Sequence, residues 1–408
     1  MRSCPSRFSP ASRTSSRTAL WLRYRTPWSC IDSRQFCARR AEVKTAKLHA
    51  TRRVRAPRVR QTPIRMPRVS VVITNYNYER YLRQAVDSAL SQRGVAVDVV
   101  IVDDASSDGS VLLAGSLVAA DPRVTLVART QNGGPASAFN DGLAQTTGEF
   151  VVRLDADDML TPGSIARAAA LAEQFPGVGL VYGHPVHFAE PMVLRHRDQA
   201  RSWTVWPGRS WLERRCQVGH NCITSPEVLM RASTLRSVGG MRSLAHTHDL
   251  ELWLRMARAS DVGWVGGADQ AWHREHSGSL SAREVDVKRD LEERASAFST
   301  LFTDGLGDTA QNERLLRIAR ATLANEALTR TTQAYSAGRG ASPETDCYLH
   351  YARGIHADLD SLPQGRALRR AQRLGPVKAR YSPNLLAHAV RHRAALVIGR
   401  YRWRSTGV

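Results

Sequence analysis

A chain of 408 residues with 42% hydrophobic residues allows two or three domains and one large core, the composition of an ordinary soluble protein. The net charge of +21 invites a nucleic-acid reading, but residues 1–65 hold 17 Lys+Arg against 2 Asp+Glu, which leaves only +6 for the other 343 residues. No run approaches 18 consecutive apolar residues, which excludes a transmembrane helix, and six scattered cysteines without a Cys-x-x-Cys pair exclude a disulfide framework or zinc site.

Residues 1–65 are rich in Arg, Ser, Pro and Thr and show no sustained period of 2 or 3.6. They lack the apolar core of a secretory signal. Met66 directly precedes the first strand pattern, so it is the expected natural start, with residues 1–65 an upstream extension or disordered tail. The rival reading is a basic arm that binds nucleic acid or anionic lipid. Cys4, Cys30 and Cys37 lie in this segment, and Cys216, Cys222 and Cys347 in the body, a pattern that fits a reducing cytosol.

From Met66 the elements alternate. Val69–Thr74 is a β-branched run of the kind buried on both faces of a sheet. Asn75 to Tyr78 form a polar aromatic turn, and 79–93 carries apolar residues at helical spacing, closed by Gly94. A second strand, 97–102, ends in Asp103-Asp104-Ala-Ser-Ser-Asp108-Gly109, and a helix follows to about 120. The Ser-Ser-Asp-Gly run reads as a cap and turn. A third strand, 124–128, leads into Asn132-Gly133-Gly134-Pro135 and a helix over 136–145; a fourth, 150–154, runs into Asp155-Ala-Asp157-Asp158. Thr161 and Pro162 read as the N-cap and first position of the next helix. Strands and helices alternating with short loops predict a mostly parallel sheet with helices on both faces, and in such sheets ligands sit outside the carboxyl ends of the strands. Every polar cluster above falls at those ends. An Asp-x-Asp at a strand end suits a hard divalent cation, which takes few protein ligands and fills its shell with substrate phosphates.

Four segments together, Val-Ser-Val-Val-Ile-Thr-Asn-Tyr-Asn, Val-Ile-Val-Asp-Asp-Ala-Ser-Ser-Asp-Gly-Ser, Asn-Gly-Gly-Pro-Ala-Ser-Ala-Phe-Asn and Asp-Ala-Asp-Asp, resemble the family-2 glycosyltransferases over roughly residues 68–190. The resemblance implies the GT-A fold, a Rossmann-like mostly parallel sheet flanked by helices, here with a C-terminal helical extension. It implies a nucleotide-sugar half over 66–190, an acceptor half over 191–284 and a basic helical region over 285–408. It further implies that Thr74 and Tyr76 line the base pocket and that Asp103 and Asp104 accept hydrogen bonds from base or ribose. Asn132, Gly133 and Gly134 would bring backbone close to the nucleotide. Asp155 would meet the ribose or the metal, and Asp157 would hold Mn²⁺ or Mg²⁺ on the diphosphate, with Asp158 a third carboxylate.

The second half carries two further matches. Thr247-His248-Asp249-Leu250-Glu251-Leu252-Trp253-Leu254-Arg255 is similar to the family's Glu-Asp segment at the start of an amphipathic helix, with His248 in place of the Glu. Asp249 is the implied general base. Trp272-His273-Arg274-Glu275-His276 resembles the family's Arg-x-His segment, which implies Arg274 on the diphosphate and His276 on the metal. A strand is expected over 180–188, and Trp203, Trp206 and Trp211 read either as packing residues or as platforms for sugar rings.

The resemblance thus implies an inverting, metal-dependent transferase that passes a sugar from a nucleoside diphosphate to a carbohydrate or lipid-linked acceptor in cell-surface polysaccharide or glycoconjugate synthesis, in the cytoplasm and at the inner membrane face. Residues 366–373 and 390–404 are basic with apolar interleaving, which suits either an anionic membrane surface or a solvated helical face. The alternatives are a sugar-nucleotide binding protein with weak catalysis, because of His248, and a nucleic-acid binder built on the basic tail. No zinc finger or RNA-recognition signature supports the second, so no nucleic-acid partner is expected.

Overall fold

The computed structural model describes residues 51–56, 66–190, 195–276, 278, 287–340 and 342–408. A ten-stranded sheet forms the centre. In chain order its first part comprises β1 (Arg52–Arg55), β2 (Arg68–Asn75), α1 (Glu79–Leu90), β3 (Ala96–Asp103), α2 (Ser110–Ala120), β4 (Val124–Ala128), α3 (Gly134–Ala144), β5 (Phe150–Asp155), β6 (Met159–Leu160), α4 (Ser164–Gln174) and β7 (Val178–Phe188). The next part adds β8 (Ser202–Trp206), α5 (Gly208–Val218), β9 (Leu229–Arg231), α6 (Ala232–Val238), α7 (His248–Ala259) and β10 (Asp261–Arg274).

Spatial order is β1-β8-β10-β7-β9-β5-β2-β3-β4, with β6 paired to β10. Strands β5, β2, β3 and β4 run parallel, and β10 is parallel to β7. Antiparallel pairings surround β9 and β8. From β2 the chain moves outward to β3 and β4, then returns to place β5 on the other side of β2. That reversal is the switch point at which open α/β sheets bind ligands.

The β-branched runs are buried on both faces because side chains alternate along a strand. Val71, Ile73, Val99 and Ile101 face one core with Leu82, Ala85 and Ile165, while Val72, Val100 and Val102 face the other with Phe139, Trp211 and Trp253. Helix α3 lies so close to the sheet that a Cβ at Gly142 would sit 2.4 Å from Val72 Cγ1.

The C-terminal region is helical: α8 (Val287–Phe302), α9 (Thr309–Ser336), α10 (Pro343–Ile355), α11 (Pro363–Arg380) and α12 (Pro383–Thr406). The 28-residue α9 packs against α8, α10, α11 and α5. Among the described residues, no helix is long and apolar enough to cross a membrane.

Several expectations need correction. The helix after Asp158 begins at Ser164, not at Pro162, because Gly163 takes φ 72° and turns the chain first. Thr161 is buried instead, its hydroxyl donating to the Asp269 carbonyl at 2.6 Å. Residues 52–55, assigned to the N-terminal extension, pair with β8 as a strand. The rest of that extension, apart from 51 and 56, lies outside the described residues, as do 277 and 279–286. Trp203, Trp206 and Trp211 are all buried, so they pack and do not present faces for sugar.

Candidate active site

The carboxyl ends of β2, β3 and β5 bring the first cluster together. Thr74 Oγ1 donates to Asp155 Oδ1 at 2.8 Å, and Arg153 Nη2 donates to the same oxygen at 2.5 Å. Asp103 is buried and accepts from Asn75 Nδ2 at 2.7 Å, Ser106 Oγ at 2.7 Å and Ser106 N at 2.9 Å. Asp104 accepts Gly133 N at 2.9 Å on Oδ1 and Gly134 N at 2.8 Å on Oδ2, and pairs with Arg129. These two carboxylates therefore shape the loops, and the glycine loop is clamped to the end of β3. Asn132, which opens that loop, is exposed, and so is Tyr76 in the turn after β2. Asn77 and Ala105, in the turns after β2 and β3, have φ of 57° and 61°. Non-glycine residues seldom adopt this region, and such outliers gather at functional sites. Asp108 accepts from Ser110 N at 3.0 Å and Glu79 N at 3.1 Å, a turn and helix-start role.

The turn after β5 divides its carboxylates by environment. Asp158 is buried and accepts Arg274 N at 2.8 Å and His273 Nδ1 at 3.1 Å. Burial opposes charge on His273, but the Asp158 carboxylate outweighs it and raises the imidazole pKa to about 10. The pair is an imidazolium–carboxylate in which Asp158 is buried and His273 half-buried. Asp157 instead faces His276, with Oδ2 2.9 Å from Nε2. Gly278 N donates to His276 Nδ1 at 3.1 Å, so Nε2 carries the hydrogen and donates to Asp157.

Arg274 ends β10 beneath this pair. Its Nε donates to the Asp157 carbonyl at 2.8 Å, Nη2 donates to Gln84 Oε1 at 2.8 Å, and Nη1 pairs with Glu190. Its guanidinium stacks 4.2 Å from the centre of the Tyr81 ring. Arg274 thus braces the Asp-x-Asp turn.

Asp249 sits in the first turn of α7, half-buried. Its Oδ2 accepts from Asn221 Nδ2 at 2.9 Å and Ser225 Oγ at 3.3 Å, and its Oδ1 from Leu250 N at 2.6 Å. Ser225 is a third non-glycine residue at positive φ, 89°. The turn that carries it is closed by Glu227, which accepts from Thr224 N at 2.8 Å and Thr224 Oγ1 at 2.7 Å. Glu227 is fully buried, which pushes its pKa up to about 7. His248 is buried with its Nδ1 unpartnered. Burial and the charge of Arg153 hold it below its ordinary pKa, against the opposing pull of Asp249 and Asp155. His248 is therefore neutral near pH 7, and it stands within electrostatic reach of both the β5 end and Asp249.

The Asp157 carboxylate oxygen suits Mn²⁺ or Mg²⁺, and His276 Nε2 opposite it could join as a Mn²⁺ ligand on giving up the hydrogen it donates to Asp157. Among the described residues no cluster of three or more His, Cys, Asp and Glu is present. A two-donor site is what a cation completed by substrate phosphates requires.

Sequence reasoning missed Arg153, Asn221, Ser225, Gln84, Glu190 and the pairing of His273. Only Arg153 leaves a signal, as a lone charge inside an apolar strand.

Residues 70–236 match the family model described as glycosyl transferase family 2. The succinoglycan biosynthesis protein ExoO of Rhizobium meliloti is 38% identical over 109 residues, 27% of this chain and 31% of that protein. EpsE of Bacillus subtilis is 31% identical over 193 residues, 46% of this chain and 66% of its own length. The chain spans about a third of the length of the first curated relatives it matches. The crystal structure of S. aureus TarS 1-349 in complex with UDP-GlcNAc has a TM-score of 0.54 at 17% identity, covering 77% of this chain and 89% of that one. That likeness shows the shared GT-A fold.

Proposed function

The chain belongs to glycosyltransferase family 2, and on that premise we propose that it moves a sugar from a nucleoside diphosphate donor to an acceptor hydroxyl, with inversion at the anomeric carbon. The observation that carries this reading is geometric: Thr74 and Arg153 meet Asp155, and His276 meets Asp157, at the carboxyl ends of β2 and β5, the switch point of the sheet. Asp249 takes the proton from the acceptor hydroxyl, the freed oxygen attacks the anomeric carbon, and the bond to the diphosphate breaks in the same displacement. Asn221 and Ser225 hold the carboxylate for that task.

Tyr76 offers an exposed ring for the base, and Thr74 with Asp155 stands at the ribose side. Asn132, Gly133 and Gly134, fixed by Asp104, present backbone to the nucleotide, and Arg274 anchors the turn beneath the diphosphate. Asp157 and His276, with Asp155 beside them, would hold a Mn²⁺ or Mg²⁺ ion. When bound, such a cation offsets the charge on the departing diphosphate as a Lewis acid. The acceptor class is a carbohydrate or lipid-linked glycan of cell-surface polysaccharide synthesis, reached from the cytoplasmic side. A second reading, donor binding with little turnover, draws on His248, a neutral imidazole where the resemblance leads one to expect a carboxylate.

The test incubates the full chain with UDP-, dTDP-, GDP- and CDP-sugars, with and without Mn²⁺, and follows nucleotide release and melting temperature. A ligand specific to the native state adds roughly 2.7 kcal/mol of stability at 100 times its dissociation constant. A cation-dependent shift with one donor, together with nucleotide release, supports transfer. A shift without release supports the second reading, and no shift with any donor overturns both.

A further inference from the structure

Helices α11 and α12 hold 11 Lys+Arg from Pro363 to the end of the chain and no Asp or Glu. Residues 66–408 carry +6 in all, so residues 66–362 carry −5. The positive charge of the folded body is thus concentrated in this one helical pair. In α11 the inward face, with Leu368 and Ala371, is buried, while Arg366, Arg370, Arg373, Lys378 and Arg380 are exposed.

The same pair is where the apolar surface gathers. Of the 15 exposed large hydrophobic residues among the described residues, eight lie between Val377 and Tyr401. In α12 only Leu385 is buried. Leu386, Val390, Val397 and Tyr401 follow one another at spacings of four, seven and four, so they line one face of the helix. Val390 is 68% exposed and Tyr401 74%. The helical step sets Arg393 and Arg400 along one side of that stripe and Arg391 and Arg402 along the other. Leu396 and Ile398 are exposed on either side of the stripe, so apolar side chains meet water beyond it as well. A second copy of the chain would bring the same positive charge against it.

We propose that α11 and α12 form a docking surface for an anionic lipid bilayer, with the Leu386–Val390–Val397–Tyr401 stripe in the acyl boundary and the flanking arginines at the headgroups. Apolar residues between rows of arginine, without a carboxylate, are the composition that an interfacial helix needs. The foot of α12 is tied to the site: Trp403 Nε1 donates to the Cys222 carbonyl at 3.1 Å, and Cys222 follows Asn221, the residue that orients Asp249. Docking therefore brings the loop beside Asp249 to the lipid surface. The proposal concerns binding alone, so it can fail while the transfer reading stands.

The test is co-sedimentation of the full chain with phosphatidylcholine vesicles, with and without about 30 mol% phosphatidylglycerol, which gives the surface a negative potential. Two variants accompany it, one with Leu386, Val390, Val397 and Tyr401 changed to Asn, the other with Arg391, Arg393, Arg400 and Arg402 changed to Gln. All eight positions lie on the outer helix, and unchanged melting curves verify the fold. The expected result is binding to the anionic vesicles only, weakened by about tenfold or more in each variant. Binding that survives in either variant assigns the contact to the basic residues 1–65 or to charge alone, and overturns the proposal. So does the absence of binding to anionic vesicles.

Discussion

Asn221 Nδ2 lies 2.9 Å from Asp249 Oδ2 and fixes the carboxylate from a loop 28 residues away in sequence. If Asp249 is the base, Asp249→Asn keeps the size and removes the proton acceptor, so kcat falls about 10²- to 10⁴-fold with little change in melting temperature. Asn221→Ala leaves the base but frees its orientation, and a smaller loss of kcat with an unchanged donor KM is expected. Steady-state kinetics of both variants decide the matter. Full turnover in Asp249→Asn would remove the proposed role.

Asp157 and Asp158 are neighbours with opposite expected behaviour. Asp158→Asn leaves the half-buried His273 imidazolium without its carboxylate, and losing such a charge-assisted hydrogen bond costs about 1–3 kcal/mol. Asp157→Asn keeps an oxygen that can accept from His276 Nε2 in a contact where both side chains are 11% exposed, so it costs less stability than Asp158→Asn, but it abolishes any Mn²⁺-dependent rise in melting temperature. Urea unfolding and Mn²⁺ titration of the two variants separate a structural carboxylate from a ligand. A Mn²⁺ response that survives Asp157→Asn would move the cation elsewhere.

Glu227 makes stability depend on pH. Its folded pKa is raised to about 7 by burial, from 4.5, so the folded state binds the proton more tightly than the unfolded chain does. The resulting stabilisation is complete below pH 4.5 and is lost as pH rises through 7, a change of roughly 3 kcal/mol. Glu227→Gln has no such proton to lose. The stability of the parent relative to this variant should therefore drop between pH 5 and pH 8, measured by urea unfolding. An equal difference at both pH values would show that Glu227 stays ionised.

Ala105 has φ of 61° in the turn that follows Asp103 and Asp104. An L-residue there is strained by about 1–2 kcal/mol, which glycine relieves at the cost of a more flexible unfolded chain. Ala105→Gly should therefore be neutral to stabilising by up to about 1 kcal/mol, where the same change in a helix interior destabilises. A clear drop in melting temperature would argue that the Ala105 methyl packs against something that matters.

The parallel half of the sheet was legible because the runs at Val69–Thr74 and Val97–Val102 are uninterrupted and β-branched, a pattern that only a strand covered on both faces needs. Asp157, Asp249 and His276 were legible as residue types in order, since a strand end and a helix start each have a local signature. Their partners were not. Asn221 and Ser225 reach Asp249 through the folded chain, and nothing near them in sequence marks the contact. Asp103 and Asp104 were visible as an acidic pair, but not as acceptors already engaged by Asn75, Ser106, Gly133 and Gly134. At Thr161-Pro162 a local helix-start signal yielded to Gly163, whose left-handed turn delays the helix while Thr161 is drawn to Asp269.

The short strand at Arg52–Arg55 has a bearing on handling the protein. It hydrogen-bonds along Ser202–Val205 with all four of its residues exposed, three of them arginines. An outermost strand of this kind gives a sheet a charged border that another chain cannot extend. A polypeptide begun at Met66 would lose it and leave the backbone of β8, flanked by Trp203 and Trp206, open to pairing with its own copies. Such a truncation should self-associate in a concentration-dependent way, while a chain retaining Arg52–Arg55 stays dispersed.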